Sequence, residues 1–244
     1  MIYIFSIEGN IGSGKSTIIK NIKNSFIKYK NFKIIYLQEP VDIWESIVDE
    51  NNKNIIEHFY GDNVKYGFSF QMLAFISRNK LLNETIANNA NENIVIITER
   101  SIFSDKNVFA KMLYKDKSIN EIEYQIYNKW FNEYSNDKNK YHYIYVDTSA
   151  KKCCERVKKR SRKGETIPLV YLKKCQDYHD QWLHNEENIL TITGEEDFND
   201  KVNYNNILNI ITKYIKYTIM NNGEKDTIVG TDITINDLMN HPFF

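Results

Sequence analysis

The stretch "SIEGNIGSGKSTII", residues 6–19, decides the fold of this chain. Gly9, Gly14, Lys15 and Ser16 fit the spacing G-x-x-x-x-G-K-[ST], with an apolar run over residues 2–7 before them and a helical pattern after them. That strand, loop and helix setting is what a phosphate-binding loop requires. Glycines at 9, 12 and 14 allow positive φ and close backbone approach, so successive N–H groups can point at phosphate oxygens. A helix starting near Lys15 adds the positive end of its dipole. Lys15 can reach the outer phosphates as a point charge, and the Ser16 hydroxyl suits magnesium. Asn10 and Thr17 lie inside the same motif and complete the candidate nucleotide-binding set. The loop implies nucleotide binding and leaves the phosphate acceptor open.

Composition narrows the class. The chain has 244 residues, enough for one α/β domain with a large core; its hydrophobic content of 42% and charged content of 26% are those of an ordinary globular protein. A formal net charge of +0 gives no general attraction to nucleic acid or to an anionic membrane. Cys153, Cys154 and Cys175 form no C-x-x-C pair and suit a reducing compartment. No apolar run approaches a membrane span. With the first strand starting at residue 2, a signal or transit peptide is not expected, and the expectation is an intracellular, cytoplasmic enzyme.

Short apolar runs at 2–7, 33–37, 93–98, 142–147 and 189–193 predict five strands, each rich in Ile, Val or Tyr. Helical patterns fall at 15–30, 43–59, 64–89, 105–114, 120–133, 150–159, 168–187 and 200–219. The alternation predicts a parallel five-stranded sheet with helices on both faces, and such sheets bind ligands at the carboxyl ends of their strands. Residues 1–220 are expected to form this domain. Residues 221–244, ending in "HPFF", lack a strong period and are expected to be an appended tail of unassigned role.

The residues just past each strand are chemically loaded. Gln38-Glu39-Pro40 follows the second strand, Glu99-Arg100-Ser101 the third and Asp147-Thr148-Ser149 the fourth. Proline after Glu39 favours extended backbone there, so the carboxylate can project from the strand end and accept a hydroxyl proton; the lesser alternative is a surface carboxylate or helix-entry charge. Glu99 and Arg100 fit a magnesium-side carboxylate and a guanidinium near the transferred group, or a structural ion pair.

Five segments, "IEGNIGSGKST", "QEPVDIW", "FSFQMLAFISR", "ERSIFSD" and "ERVKKRSRKGETIPLVYL", resemble in order and spacing the motifs of the deoxynucleoside kinases. That group contains the deoxycytidine, deoxyguanosine and mitochondrial thymidine kinases and the insect multisubstrate enzyme. The resemblance spans roughly residues 1–219 and implies a P-loop kinase fold with a basic lid. It implies transfer of the ATP γ-phosphate to the 5′-hydroxyl of a deoxynucleoside, with Mg2+, in a homodimer. Within it, Glu39 matches the general base, Arg100 the arginine at the 5′-oxygen and Glu99 the metal-side acid. Gln71 matches the amide that reads the base edge, a group with one donor side and one acceptor side. Arg78, seven residues on and on the same helical face, and Asp105 match a base-contacting pair. Members that prefer thymidine tend to have small or apolar residues at this pair, so the pair leans towards deoxycytidine or a deoxypurine.

Trp44, Phe59, Phe70 and Phe109 match aromatic positions around the base, although any one of them alone would also suit a core. Tyr60 and Glu165 match groups at the 3′-hydroxyl; between Glu165 and Pro168 the chain is one residue shorter than the family pattern. Arg156, Arg160 and Arg162 match the lid over the ATP phosphates, where forked guanidiniums suit distributed charge. The rival enzyme is a thymidylate-type monophosphate kinase, whose acceptor phosphate Glu39 would repel. A non-catalytic nucleotide switch would have no use for Glu39, Gln71 and Arg100 together.

Overall fold

Strand β1 (Ile2–Glu8) is Ile- and Phe-rich and buried along nearly its whole length, which places it in the middle of a sheet covered on both faces. The computed structural model describes residues 1–135, 141–162, 165–196 and 201–221. Among these, β1 is joined by β2 (Lys28–Tyr29), β3 (Phe32–Leu37), β4 (Ile94–Glu99), β5 (Tyr141–Asp147) and β6 (Ile189–Thr193), in the order β2-β3-β4-β1-β5-β6. β3, β4, β1, β5 and β6 run parallel, as the alternating pattern predicts. All six β4 residues are buried.

Helices cover both faces. On one, α1 (Lys15–Ser25) and α10 (Lys201–Asn221) pack Ile18, Ile19, Ile22, Ile211 and Ile215 against Phe5, Ile7, Val95 and Ile144. The other face takes α4 (Asn63–Asn88), a helical stretch and two further helices. The stretch runs from α5 (Ile102–Ser104) through a π-helical segment (Asp105–Ala110) into α6 (Lys111–Lys115). The further helices are α7 (Glu121–Tyr134) and α9 (Leu169–Leu183). α2 (Val41–Glu45), α3 (Ile55–Gly61) and α8 (Ala150–Arg160) border the carboxyl ends of the strands. No helix among the described residues is long and apolar enough to cross a membrane.

Two expectations are corrected. The helix predicted over 15–30 stops at Ser25, and β2 then pairs antiparallel with β3 through a tight turn in which Lys30 has φ 51°, so the sheet has six strands and not five. No glycine marks this turn, which removes the usual hairpin signal. The helix predicted over 43–59 is broken between α2 and α3. There Asp49 Oδ1 accepts the N–H groups of Asn51 and Lys53, both at 2.9 Å, and Val48 bridges Asn54. Such local side-chain bonds compete with helix formation. α3 restarts on a capping box, in which Asn54 and Glu57 each accept the other's backbone N–H. The tail expected over 221–244, apart from Asn221, lies outside the described residues.

Ile211 is fully buried between α10 and the sheet. Ile211→Ala is expected to cost about 2–5 kcal/mol in urea unfolding, since the cavity it leaves is enclosed by sheet and helix. A loss below about 0.5 kcal/mol would mean that α10 is not a structural layer.

Candidate active site

The loop after β1 has the backbone its spelling predicts. Gly9, Gly12 and Gly14 have φ of 142°, 82° and 102°. At Gly12 a Cβ would stand 2.7 Å from the Cys153 carbonyl oxygen, so the loop lies too close to α8 for any side chain. Gly14 caps α1, and Lys15 opens it. The Lys15 ammonium is buried and donates to Asn10 O (2.7 Å), Gly9 O (3.1 Å) and Ser13 Oγ (3.4 Å), all neutral acceptors. Burial, with the Arg100 charge adding to it, lowers the Lys15 pKa to about 7 against the pull of Glu99 and Glu39. A buried cation with only neutral acceptors beneath a ring of glycine amides fits an anionic phosphate chain.

The Asn10 side chain is engaged within the fold. Its amide donates to Leu172 O on α9 at 2.8 Å, and its Oδ1 accepts the Ile11 N–H at 2.8 Å. It braces the loop from below, and neither Asn10 nor Gly9 lines the cavity, whereas every other predicted site residue does.

The strand ends supply a charged network. Glu39 Oε1, just past β3, accepts from Arg100 Nη1 at 2.7 Å and Arg78 Nη2 at 3.2 Å. Arg78 also donates from Nε to Asp105 Oδ2 (3.0 Å) and from Nη1 to the Glu99 carbonyl (2.8 Å). Arg100 Nη2 reaches Gly9 O at 3.3 Å, which ties the network to the loop. Burial alone would raise the Glu39 pKa; the charges of Arg100, Arg78 and Lys15 outweigh it and hold the group at about 2. Asp105 is pushed up to about 6 by burial, with Arg78 opposing. Ser16 Oγ donates to Glu99 Oε1 at 2.7 Å. Among the described residues no cluster of three His, Cys, Asp or Glu could hold a metal by itself. A hydroxyl beside a carboxylate is nevertheless the hard-oxygen set that magnesium uses when substrate phosphates complete its shell.

These groups line one cavity of about 780 Å³, within the usual range for small-molecule sites. Gln71 and Arg78 enter it from one face of α4. The π-helical turn holds Asp105 and Phe109 in the same wall, an example of the tendency of π-bulges to occur at functional sites. Trp44 meets Phe70 edge-on at 5.4 Å between centroids, Phe59 lies 4.8 Å from Phe70, and Arg100 sits 5.1 Å from the Phe109 centroid. Gln71 is buried and its Oε1 has no partner, which leaves an acceptor for a ligand.

Tyr60 and Glu165 also line the cavity, and Glu165 is paired with Arg160 (Nη2–Oε1 2.5 Å). Arg156 braces the rim by donating to Ser13 O (3.2 Å) and Glu196 O (2.7 Å), and Arg162 lies nearby. Gln38, noted above only as a strand-end residue, belongs to the lining too, as do Lys159 and Tyr171, which sequence reasoning did not single out. Tyr171 falls within "IPLVYL", where nothing in the local pattern separates a pocket wall from core.

A glycine-rich anion cradle, a buried lysine and an anionic carboxylate at the carboxyl ends of neighbouring parallel strands define a P-loop phosphotransferase. A sequence model of the family described as deoxynucleoside kinase matches residues 5–216. Over 223 residues the chain is 32% identical to a mitochondrial deoxyguanosine kinase of Xenopus laevis, covering 79% of this chain and 82% of the relative. It is 34% identical over 208 residues to a probable deoxycytidine kinase of Fowlpox virus, with 81% of each covered. Human deoxycytidine kinase matches at 31% over 226 residues, 80% of this chain and 85% of the relative. The chain belongs to the deoxynucleoside kinase family. It is a transferase that phosphorylates deoxynucleosides, as in nucleoside salvage, with ATP as the donor that the kinase family implies. The monophosphate kinase alternative is not favoured.

The Lys15 pKa, lowered to about 7, has a measurable consequence. With that pKa, most free sites are expected to lack the Lys15 proton at pH 8, and a bound phosphate chain is expected to restore it. Calorimetry of ATP binding at pH 8 in two buffers of different ionisation enthalpy should show uptake of roughly one proton per site, falling towards zero at pH 6. No uptake at pH 8 would mean that Lys15 stays charged in the free enzyme.

Proposed function

We propose that the chain transfers the γ-phosphoryl group of ATP to the 5′-hydroxyl of a deoxynucleoside, with deoxycytidine or a deoxypurine preferred over thymidine. The observation that carries this is Glu39. It is an anion clamped by two arginines beside the phosphate loop, in the cavity that also holds the unpaired Gln71 amide oxygen. The nucleoside lies with its base against Gln71 and the aromatic group, and its 5′-hydroxyl at Glu39. Phosphoryl transfer of this kind has a loose transition state, so the protein's contribution is positioning and charge. Glu39 accepts the hydroxyl proton as the oxygen attacks. Its low pKa makes it a weak base in the free enzyme, so the proton moves as bond formation makes the hydroxyl acidic.

Arg100 spans from Glu39 to Gly9 and places its guanidinium at the junction of acceptor and donor. Lys15, Thr17 and the glycine amides hold the phosphate chain, and Arg156, Arg160 and Arg162 cover it. Ser16 and Glu99 would hold Mg2+, which when bound neutralises phosphate charge. Tyr60 and Glu165 take the 3′ side of the sugar once Glu165 leaves Arg160. The base preference rests on the Arg78–Asp105 pair. An acceptor that already bears a phosphate would bring its charge against Glu39.

A homodimer is supported by α7, which exposes Ile122 (65%), Ile126 (40%), Trp130 (41%) and Tyr134 (57%) at four-residue spacing, an apolar stripe beyond what scattered surface residues make.

Glu39→Gln keeps the shape and removes the base. Turnover should fall by at least about 100-fold while deoxynucleoside binding stays measurable by calorimetry. Undiminished turnover would remove Glu39 from the mechanism. Arg78→Ala combined with Asp105→Ala should lower overall activity, because Arg78 also supports Glu39, and should move the ranking of deoxynucleosides towards thymidine. An unchanged ranking in competition assays would make the pair structural only.

A further inference from the structure

Glu8 is the last residue of β1, fully buried, and absent from the lining of the cavity. A carboxylate buried at the end of a mostly apolar central strand needs compensation; Oε2 has no partner among the described residues, and all of the hydrogen bonding falls on the other oxygen. A single oxygen, Oε1, accepts the Ser6 hydroxyl (2.6 Å), the Ser101 hydroxyl (2.7 Å) and the Ser101 backbone N–H (2.8 Å). The last of these belongs to the peptide unit that follows Arg100.

Arg100 needs such support. Its φ is 60°, in the left-handed region that costs a non-glycine residue roughly 1–2 kcal/mol. The residue persists there because its backbone is fixed on every side. Its N–H donates to Ile7 O at 3.0 Å, its carbonyl accepts the Thr98 hydroxyl at 3.0 Å, and the next N–H is held by Glu8. This conformation turns the side chain back from the end of β4, so that Nη1 meets Glu39 at 2.7 Å and Nη2 meets Gly9 O at 3.3 Å. Strain of this sort at a site persists only where the surroundings over-determine it.

We propose that Glu8 is a positioning residue for phosphoryl transfer: from behind the sheet edge it locks the left-handed Arg100 turn and so aims the guanidinium at Glu39 and the phosphate loop. The proposal rests on the roles of Glu39 and Arg100 given above. Glu8 touches neither substrate, and its effect passes through Arg100.

The test is a double-mutant cycle in steady-state kinetics with Glu8→Met, which has similar volume and no oxygen acceptor, Arg100→Lys, and the two combined. Glu8→Met should lower kcat by about 100-fold and Glu8→Gln, which keeps a neutral acceptor, by about tenfold, with both KM values within about threefold. In the combined variant kcat should lie within about twofold of Arg100→Lys alone, because the turn then has nothing left to aim. A kcat for Glu8→Met within twofold of the parent, or losses that multiply in the combined variant, would overturn the proposal. If Glu8→Met does not fold, Glu8→Gln with Arg100→Lys makes the same comparison. A fully active Glu39→Gln would instead point to failure of the underlying mechanism.

Discussion

Two arginines on one carboxylate organise this site. Glu39 is largely withdrawn from water, with 17% of its side chain exposed, and such desolvation by itself disfavours an anion. Arg100 and Arg78 reverse that outcome, and each is itself held from a second direction, Arg100 by Gly9 O and Arg78 by Asp105 and the Glu99 carbonyl. The clamp therefore links five chain segments: the phosphate loop, the end of β3, the middle of α4, the end of β4 and the π-helical segment that carries Asp105. A buried network of this kind is weak evidence for stability, since apolar replacements often serve as well. Its value lies in fixing a negative charge next to a loop that attracts negative charge.

That arrangement also separates donor from acceptor. In the proposed reading, Lys15, the glycine amides and the arginines 156, 160 and 162 attract the phosphate chain on the loop side, while Glu39 sets an anion on the acceptor side. Between them Arg100 belongs to both halves. The neutral Gln71 amide, with its unpaired oxygen, and the aromatic rings then complete a pocket with a polar reading edge and apolar faces, the usual composition of a site for a flat heterocycle.

Much of this was legible in the sequence because the features that place the site are local. The loop motif, the alternation of runs and the seven-residue spacing of Gln71 and Arg78 each follow from short-range geometry, and the five main strands fall where the runs predict. What was not legible depended on contacts between distant segments or on small local choices. β2 forms at a turn without glycine, and the helix predicted over 43–59 breaks where Asp49 ties up two backbone N–H groups. Asn10 sits inside the motif yet points away from the cavity, since its partner on α9 is 162 residues distant. Tyr171 lines the cavity from α9, and a helix wall and a pocket wall share the same apolar spacing, so the sequence does not separate them. Glu8 lies one residue past the run predicted over 2–7, and its three donors could be known only from the fold.

The central claim is that the acceptor is an unphosphorylated nucleoside directed to Glu39. It is tested most directly by one assay of phosphate transfer from magnesium-ATP to the four deoxynucleosides and, in parallel, to their four 5′-monophosphates. The account predicts transfer to nucleosides, strongest with deoxycytidine or a deoxypurine, and little or none to the monophosphates. Transfer to the monophosphates alone would contradict it, leaving the phosphate loop correctly assigned and Glu39 in the wrong role.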